Sequence, residues 1–430
     1  DMKHVYDPET DTLDLSRIIC GSEGTLAFIV EAKLDLTKIP AFRALVNVKY
    51  DSFDSALRNA PLMMKADALS VETVDSKVLN LAKSDIVWYQ VKDLIKEVPG
   101  KDLQGINIVE FSGDDEEHQN ELVESLCRRL DQQMERGEAG VIGYQTCKDL
   151  PSILSVYAMR KKSVGLLGKA PGDAKPIPFT EDTAVPPEHL ADYILEFRAL
   201  LDSYHLKYGM FGHIDCGVLH VRPALDMTDP EQEKTLRRIS DRMVELTKKY
   251  GGLMWGEHGR GFRSEYGPKY FGDLYPELRK IKKAFDPDNR LNPGKIAVPE
   301  GNDEKLVSVD FQKRGTFDRQ ISLDVRHDFS DAMGCNGNGQ CFTYDLNSPM
   351  CPSYKLTRDR RFSPKGRSSL IREWLRELQT RGIDPRDEEH IKDGRSVAGV
   401  FRRFINTLAL KSGTKDFSRE VWDADRKSVV

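Results

Sequence analysis

The sequence lacks any long apolar run, since no stretch approaches the ~20 consecutive apolar residues of a membrane helix. It also lacks an excess of positive charge: 69 acidic residues outnumber 64 lysines and arginines, for a net charge of −5. That balance gives no electrostatic basis for binding nucleic acid or an anionic membrane. We therefore expect a cytoplasmic globular protein with no integral membrane segment.

Cysteine is scarce and odd in number, which argues against a disulfide framework and favours a reducing compartment. Four of the seven cysteines are dispersed along the chain. The other three, Cys335, Cys341 and Cys351, lie within 17 positions of a polar, glycine-rich stretch and need a separate explanation. Internal repeats and low-complexity tracts are also missing, and 430 residues suit two or three domains.

The pattern of apolar residues predicts an α+β fold. Residues 42–48 and 106–112 read as strands, and residues 116–135 read as a helix capped by Gly113-Asp114-Asp115. This alternation predicts an antiparallel sheet with helices on one side. Two more strands are predicted at residues 17–20 and 26–36. Further helices are predicted at 187–208, 230–250, 273–285, 368–380 and 396–410.

Residues 209–261 are rich in glycine and present four side chains that suit a metal site, namely His213, His220, Glu257 and His258. Two predicted strands joined by Asp215-Cys216-Gly217 would turn both hairpin histidines to one side. Two imidazoles and a carboxylate leave one coordination position open on zinc, and the same donors suit manganese or iron(II). Spacing alone leaves open the alternative that each histidine is an ordinary core residue.

Two other stretches of the sequence allow both a purely structural and a functional interpretation. The turn Gly21-Ser22-Glu23-Gly24-Thr25 presents backbone N–H groups that suit a phosphate or a carbonyl-rich ring. Spacing alone favours a simple hairpin turn there. Arg160, Lys161 and Lys162 form a basic cluster, which composition reads as a solvated helix end.

Four motifs resemble those of the vanillyl-alcohol-oxidase-like FAD-linked oxidoreductases. ICGSEGTL at residues 19–26 resembles the GSEGTLG signature that closes their flavin-binding domain, with Ala27 where glycine is usual. FGHIDCGVLHVRP at 211–223 is similar to their F-G-H-x-G-D-G-N-x-H motif, and GGLMWGEHGRG at 251–261 to their G-G-x-x-x-x-E-H-G-x-G motif. NPGK at 292–295 resembles a closing motif near the flavin ring.

The resemblance, which covers residues 15–296, implies FAD as cofactor and assigns a role to each matching residue. His213, His220 and Glu257 become ligands of a divalent metal, zinc or manganese, and His258 becomes the catalytic base. Arg160 becomes the substrate-carboxylate ligand, and the nearby Lys175 would replace the family's lysine at Thr180. Arg222 departs from the family motif; two residues after His220 on the same side of the strand, it would hold a second carboxylate of the substrate. The residues implied to lie along the flavin are Gly21, Ser22, Glu23, Gly24, Thr25, Asn292 and Lys295.

The same resemblance implies a domain order. Residues 1–40 would end an FAD-binding domain, and residues 41–299 would form the FAD-linked oxidase C-terminal domain with a ferredoxin-like antiparallel sheet. A linker at 300–334 would lead to a mainly helical iron–sulfur module at 335–430. The pyrophosphate-binding loop is expected upstream of residue 1, in a longer polypeptide.

The clustered cysteines resemble the iron–sulfur motif C-x2-C-x2-C-x3-C-P of flavoprotein dehydrogenases. Asn338 stands where the second cysteine is expected, and the spacing before Cys351-Pro352 is longer. A [4Fe-4S] cluster would need a fourth ligand, expected beyond Val430. A structural zinc site or free thiols are the alternatives.

Together these features resemble bacterial FAD/iron–sulfur D-2-hydroxyglutarate dehydrogenases. We therefore expect a flavin dehydrogenase that oxidises a D-2-hydroxyacid, with hydride transfer to FAD and electrons passed to iron–sulfur. The alternatives are a dehydrogenase specific for D-lactate or glycolate, and a non-enzymatic electron-transfer scaffold. The electron acceptor is unknown, and through it the protein would at most be peripheral to an inner membrane. The sequence is compatible with a homo-oligomer.

Overall fold

The computed structural model of the chain describes residues 2–168, 172–346 and 348–386. The chain divides into two compact units. The first unit contains residues 1–171, 176–225 and 233–311, and the second contains residues 172–175, 226–232 and 312–430. The domain boundaries expected from the sequence are not tested by this division and stay predictions. The helix expected at 396–410 lies outside the described residues.

Helices and strands alternate through much of the first unit, whereas helices dominate the described part of the second. The strands are β1 (Tyr6–Asp7), β2 (Thr12–Leu13), β3 (Phe42–Tyr50), β4 (Ser70–Asp75), β5 (Gly105–Gly113), β6 (Val141–Cys147), β7 (Lys175–Pro176), β8 (Thr183–Ala184), β9 (Tyr208–His213) and β10 (Val218–Leu225). The helices are α1 (Ser16–Ile19), α2 (Phe53–Arg58), α3 (Ala60–Met64), α4 (Ser76–Lys83), α5 (Trp88–Val91), α6 (Glu116–Arg136), α7 (Leu150–Gly168), α8 (Leu190–Ser203), α9 (Pro230–Lys249), α10 (Gly267–Phe271), α11 (Tyr275–Phe285), α12 (Leu323–Asp328), α13 (Ser330–Met333), α14 (Pro352–Thr357) and α15 (Pro364–Thr380).

An antiparallel sheet forms the centre of the first unit, as predicted. Six of its strands lie side by side in the order β6-β3-β5-β4-β9-β10, and every neighbouring pair is antiparallel. The short strand β8 pairs with β10. This arrangement brings β4, β9 and β10, which carry most of the candidate site, next to one another.

Helices cover both faces of this sheet, so the prediction of helices on one side is wrong. On one face, Leu45 and Ile108 share a core with Val156 of α7. On the other, Asn107 donates a hydrogen bond to the Ala56 carbonyl of α2. The reason is burial: β3 and β5 are buried on both faces along most of their length, so each face needs a covering helix.

Local signals explain where the predicted helices begin and end. In α6, the Asp115 carboxylate accepts the His118 N–H, and Gly137 ends the helix in the left-handed conformation at φ 62°. In α15, Ser363 caps the first turn through the Gly366 N–H, which lets the helix begin before residue 368. The helix packs through Leu375 on Ile321 and Val325 to form the core of the second unit.

Three local predictions are wrong. Residues 16–19 form α1 instead of a strand, and residues 26–36 form no strand in the structure. Phe28, Val30 and Leu36 in that segment are exposed. An alternating apolar pattern forms a stable strand only where a second strand pairs with it, and this segment has no such partner among the described residues. The helix α7 also continues through Gly165, although the glycines and prolines of residues 165–178 predict an irregular segment from that position. Among the described residues, no helix combines the length and apolarity needed to cross a bilayer.

Candidate active site

The hairpin of β9 and β10 brings two histidines together. His213 pairs with Val218 and His220 pairs with Phe211, so the two histidines occupy diagonal positions on one face, as predicted. Their ring centroids are 5.4 Å apart. The turn depends on Gly217, which has φ +68° and whose added Cβ would collide with the Val185 carbonyl oxygen.

Hydrogen bonds to Asp182 fix the turn that carries Glu257 and His258. The buried Asp182 carboxylate accepts the N–H of Glu257 at 2.8 Å and the N–H of His258 at 2.9 Å. Its carbonyl oxygen accepts the Gly256 N–H at 2.7 Å. The ligand atoms of Asp182, His220, Glu257 and His258 lie within 4.8 Å of one another. Because both Asp182 oxygens already accept backbone N–H groups, we assign this residue to support of the turn.

Three imidazoles surround a single oxygen of Glu257. Glu257 Oε1 lies 3.0 Å from His220 Nε2, 3.4 Å from His213 Nε2 and 3.4 Å from His258 Nε2. The rings of His220 and His258 stack with centroids 4.8 Å apart. The donor set therefore matches the one that divalent cations prefer in open catalytic sites.

The environment of His220 fits a cation better than a proton. Burial, followed by repulsion from His258 and other nearby bases, lowers the pKa of His220 to about 3, so its imidazole is neutral at pH 7. Its Nδ1 atom is buried without a hydrogen-bond partner in the described part of the chain. The nearest acidic oxygen, Glu181 Oε1, lies 3.5 Å away, which is too far for a normal hydrogen bond. A neutral imidazole facing a carboxylate oxygen has a lone pair available for a metal.

Behind His213 lies a glutamate that the sequence did not indicate. Glu72 Oε1 is 2.7 Å from His213 Nδ1, and Glu72 Oε2 is 2.8 Å from Arg160 Nε. The hydrogen bond to Glu72 raises the pKa of His213. The sequence does contain one signal for this residue: Glu72 is an acid among the apolar residues of β4, and a buried acid requires a partner. Arg160 is not a solvated helix end, because it lies inside α7, is mostly buried, and stacks 4.6 Å from the Phe211 ring centroid.

A second glutamate, also missed from the sequence, lies on the other side of the imidazoles. Glu181 Oε1 accepts a hydrogen bond from Arg222 Nη2 at 2.6 Å and lies 3.5 Å from His258 Nδ1. The Nε atom of Arg222 is buried and has no hydrogen-bond partner among the described residues. Thr180 directs its hydroxyl to the Val221 carbonyl at 3.3 Å. The predicted substrate residue Arg222 therefore lies at the site, next to His220 on the same strand face.

The segments implied to face the flavin meet beside the Glu257 turn. The Glu23 carboxylate accepts the N–H of Arg260 at 2.7 Å and of Gly261 at 3.3 Å, and its carbonyl accepts Asn292 Nδ2 at 2.7 Å. The buried Lys282 ammonium donates to the carbonyls of Thr25 at 2.7 Å and Leu291 at 2.8 Å. Residues 21–25 are thus tied to both of the other motifs.

A cavity of about 280 Å³ lies next to this junction rather than at the histidines. Apolar side chains such as Ile18, Leu26 and Ile281 line it, together with Gly21 and Ser22. Geometry favours the imidazole cluster as the chemical centre, since the cavity lining contains no histidine or carboxylate. Lys295 has its ammonium 4.1 Å from the Phe262 ring centroid, and burial lowers its pKa.

The remaining predicted site residues belong to the second unit. Lys175 lies in β7, and its role in binding substrate stays a prediction. Cys335, Cys341 and Cys351 form no disulfide bond, and within the described residues they belong to no group of three or more metal-ligand side chains. The iron–sulfur assignment stays a prediction.

Residues 39–296 match the family described as FAD linked oxidases, C-terminal domain. The chain belongs to this family. The match confirms the predicted resemblance and the antiparallel fold that it implied. The matched residues include the β9–β10 hairpin, the Glu257 turn, Glu72 and Glu181.

Curated relatives extend the similarity beyond that domain. The chain is 61% identical to D-2-hydroxyglutarate dehydrogenase of Escherichia coli K12 over 99% of this chain and 42% of the relative. It is 58% identical to the D-2-hydroxyglutarate dehydrogenase of Pantoea ananatis over the same shares. A D-lactate dehydrogenase of Anaerostipes hadrus is 26% identical over 66% of this chain and 58% of the relative. The chain thus spans about two fifths of the length of the first two relatives.

Proposed function

We propose that this FAD-linked oxidase chain serves a dehydrogenase that oxidises D-2-hydroxyglutarate to the 2-oxoacid. The observation that carries the proposal is the convergence of three imidazoles on Glu257, with a glutamate-anchored arginine on either side. The 61% identity to the Escherichia coli D-2-hydroxyglutarate dehydrogenase supports the choice of substrate.

The residues of the imidazole cluster fit the divalent cation that the resemblance implies. His213, His220 and Glu257 would hold a divalent cation, zinc or manganese, and the segments at Gly21–Thr25 and Asn292–Lys295 would face FAD. When bound, the cation would polarise the 2-hydroxyl, FAD would accept the hydride from C2, and an iron–sulfur cluster at Cys335, Cys341 and Cys351 would carry electrons onward.

His258 is the base in this proposal. Its Nε2 atom lies 3.4 Å from Glu257 Oε1, at the point where the 2-hydroxyl would approach the cluster. The side chain is half-exposed, so it can meet a substrate that enters from solvent. His258 would take the hydroxyl proton on Nε2, and the Asp182 carboxylate would keep its backbone in place.

Two arginines favour a dicarboxylate over a monocarboxylate. Glu72 holds Arg160 through one N–H, and Glu181 holds Arg222 through another, so each guanidinium keeps further donors for a substrate carboxylate. D-Lactate has only one carboxylate, so one of the two arginines would bind no substrate carboxylate. A hydrogen bond to a charged group contributes about 1.5–3 kcal/mol, so we expect a preference of roughly 10- to 100-fold for the dicarboxylate.

The test is anaerobic mixing of the full-length, FAD-loaded protein with candidate substrates while the flavin absorbance is followed. We expect D-2-hydroxyglutarate to bleach the flavin, the L enantiomer to leave it oxidised, and D-lactate to act more slowly. Metal, iron and acid-labile sulfide are measured on the same sample. A metal-replete flavoprotein that no D-2-hydroxyacid bleaches would contradict the proposal and favour the electron-transfer scaffold. A cytoplasmic location and a homo-oligomer stay predictions from the sequence.

A further inference from the structure

Glu72 is a buried acid that none of the sequence motifs contains. It lies on β4 with 9% of its surface exposed, beneath α7 and beside β9. Burying a carboxylate is costly unless its oxygens are paired with donors. Glu72 meets this requirement by giving each oxygen to a different functional side chain.

The two hydrogen bonds of Glu72 point in different directions within the site. Oε1 lies 2.7 Å from Nδ1 of His213, the candidate metal ligand. Oε2 accepts the Nε–H of Arg160, the candidate substrate ligand, at 2.8 Å. Because Nδ1 of His213 faces a carboxylate, that nitrogen carries the proton, and the lone pair of Nε2 is directed to Glu257.

We propose that Glu72 is a positioning residue that couples the metal site to the substrate-carboxylate site. It fixes the tautomer and ring plane of His213 with one oxygen and the guanidinium plane of Arg160 with the other. The inference rests on the proposed function, since it requires His213 to bind metal and Arg160 to bind substrate. It adds a residue whose loss weakens both sites together.

The neighbouring strand supplies a matched control in Glu110. Ser70 pairs with Glu110 and Glu72 pairs with Ile108, so the two glutamates occupy diagonal positions on one face of the sheet. Glu110 is also buried, and it also holds an arginine, Arg43 at 2.8 Å, and a residue of α7, Tyr157. Within the described residues, its carboxylate bonds to Arg43 and Tyr157 rather than to an imidazole of the site. If Glu72 only anchored α7 to the sheet, substitution of either glutamate would have the same effect.

Glutamine is a discriminating substitution at position 72. A glutamine amide offers one acceptor oxygen and one NH₂ donor. His213 Nδ1 and Arg160 Nε both donate, so the amide can satisfy only one of them and turns an N–H towards the other. Glu72→Asp is the second variant, because it keeps the charge but is one methylene shorter and cannot reach both partners.

The experiment measures zinc affinity in the purified full-length protein by competition with a chromogenic chelator. We expect Glu72→Gln to weaken zinc binding about 10- to 100-fold, which is typical for loss of a carboxylate behind a ligating histidine. Glu72→Asp should weaken it in the same direction. Glu110→Gln should stay within about 3-fold of wild type, and His213→Ala marks the loss of a direct ligand.

A second readout separates positioning from simple loss of metal. At saturating zinc, Glu72→Gln should raise the KM for D-2-hydroxyglutarate about 10-fold, because Arg160 loses its anchor. A His213-dependent zinc site that is insensitive to both Glu72 variants would overturn this inference and leave the proposed function standing. Equal effects of Glu72→Gln and Glu110→Gln would also overturn it. A wild-type protein without a His213-dependent zinc site would contradict the proposed metal site as well.

Discussion

Each side of the imidazole cluster has one glutamate and one arginine, but the two glutamates differ in how many hydrogen bonds they form. On one side Glu72 joins Arg160 and His213 at 2.8 and 2.7 Å. On the other side Glu181 joins Arg222 at 2.6 Å but stays 3.5 Å from the imidazoles of His220 and His258.

This difference indicates which side is complete without a ligand. The Glu72 side uses both carboxylate oxygens on protein donors, so its arginine and imidazole are fixed in advance. On the Glu181 side, His220 Nδ1 and Arg222 Nε are buried without hydrogen-bond partners in the described residues. Unpaired buried nitrogen atoms are costly, so the Glu181 side is the less completely satisfied of the two.

Removal of His258 from the Glu181 side should have the largest effect on chemistry. A positioned base contributes about 10²- to 10⁴-fold, so we expect His258→Ala to slow flavin reduction by about 10³-fold. Zinc content should be unchanged, because His213, His220 and Glu257 remain. Stopped-flow absorbance and metal analysis on one sample provide both values. Loss of zinc together with activity would show instead that His258 is a ligand.

A second acid of β4, Asp75, should affect stability rather than chemistry. Burial raises the pKa of Asp75 from 3.8 to about 6, although the N–H groups of Val78 and Met210 and the nearby Arg198 and Lys77 oppose the shift. The folded protein therefore binds more protons than the unfolded chain between these pKa values, and stability falls as pH rises from about 4 to 6.

The measurement for Asp75 compares denaturant unfolding of wild type and Asp75→Asn at several pH values. The advantage of wild type over Asp75→Asn should shrink by up to about 3 kcal/mol between pH 4 and pH 7, at 1.36 kcal/mol per pKa unit. Flavin reduction by substrate should be similar in both proteins once folded. A difference that grows with pH would contradict the direction of this shift.

The smallest expected effect distinguishes the two arginines. Arg222→Lys keeps the charge beside Glu181 but loses the planar fork that pairs with a carboxylate. We expect the KM for D-2-hydroxyglutarate to rise about 10-fold, in line with loss of one charged hydrogen bond. The KM for D-lactate should hardly change if Arg160 holds the carboxylate that both substrates share. Equal increases for both substrates would place Arg222 at the shared carboxylate.

Sequence reasoning found the parts of the site that lie in short, local patterns. The hairpin turn at Gly217 and strand alternation are sufficient to place His213 and His220 on one face. The glycine-rich turn likewise marked Glu257 and His258. These features depend on a few neighbouring residues, so the sequence contains the information needed.

The missed residues depend on contacts between distant segments. Glu72 acquires its role because β4 lies between β5 and β9, and Asp182 because its carboxylate meets a turn 75 residues later. The failed strand at 26–36 has the same cause, since pairing requires a partner that local alternation does not reveal. Composition alone reads Arg160 as a solvated helix end, because composition does not show that α7 packs on the sheet.

The most direct test of the account is the metal dependence of flavin reduction in the full-length, FAD-loaded protein. The protein is treated with a chelator, desalted, and mixed anaerobically with D-2-hydroxyglutarate before and after zinc or manganese is restored. We predict rapid bleaching in the untreated protein, loss of bleaching after chelation, and recovery with either metal. Bleaching at the same rate in the metal-free protein would contradict a metal-assisted reaction at His213, His220 and Glu257.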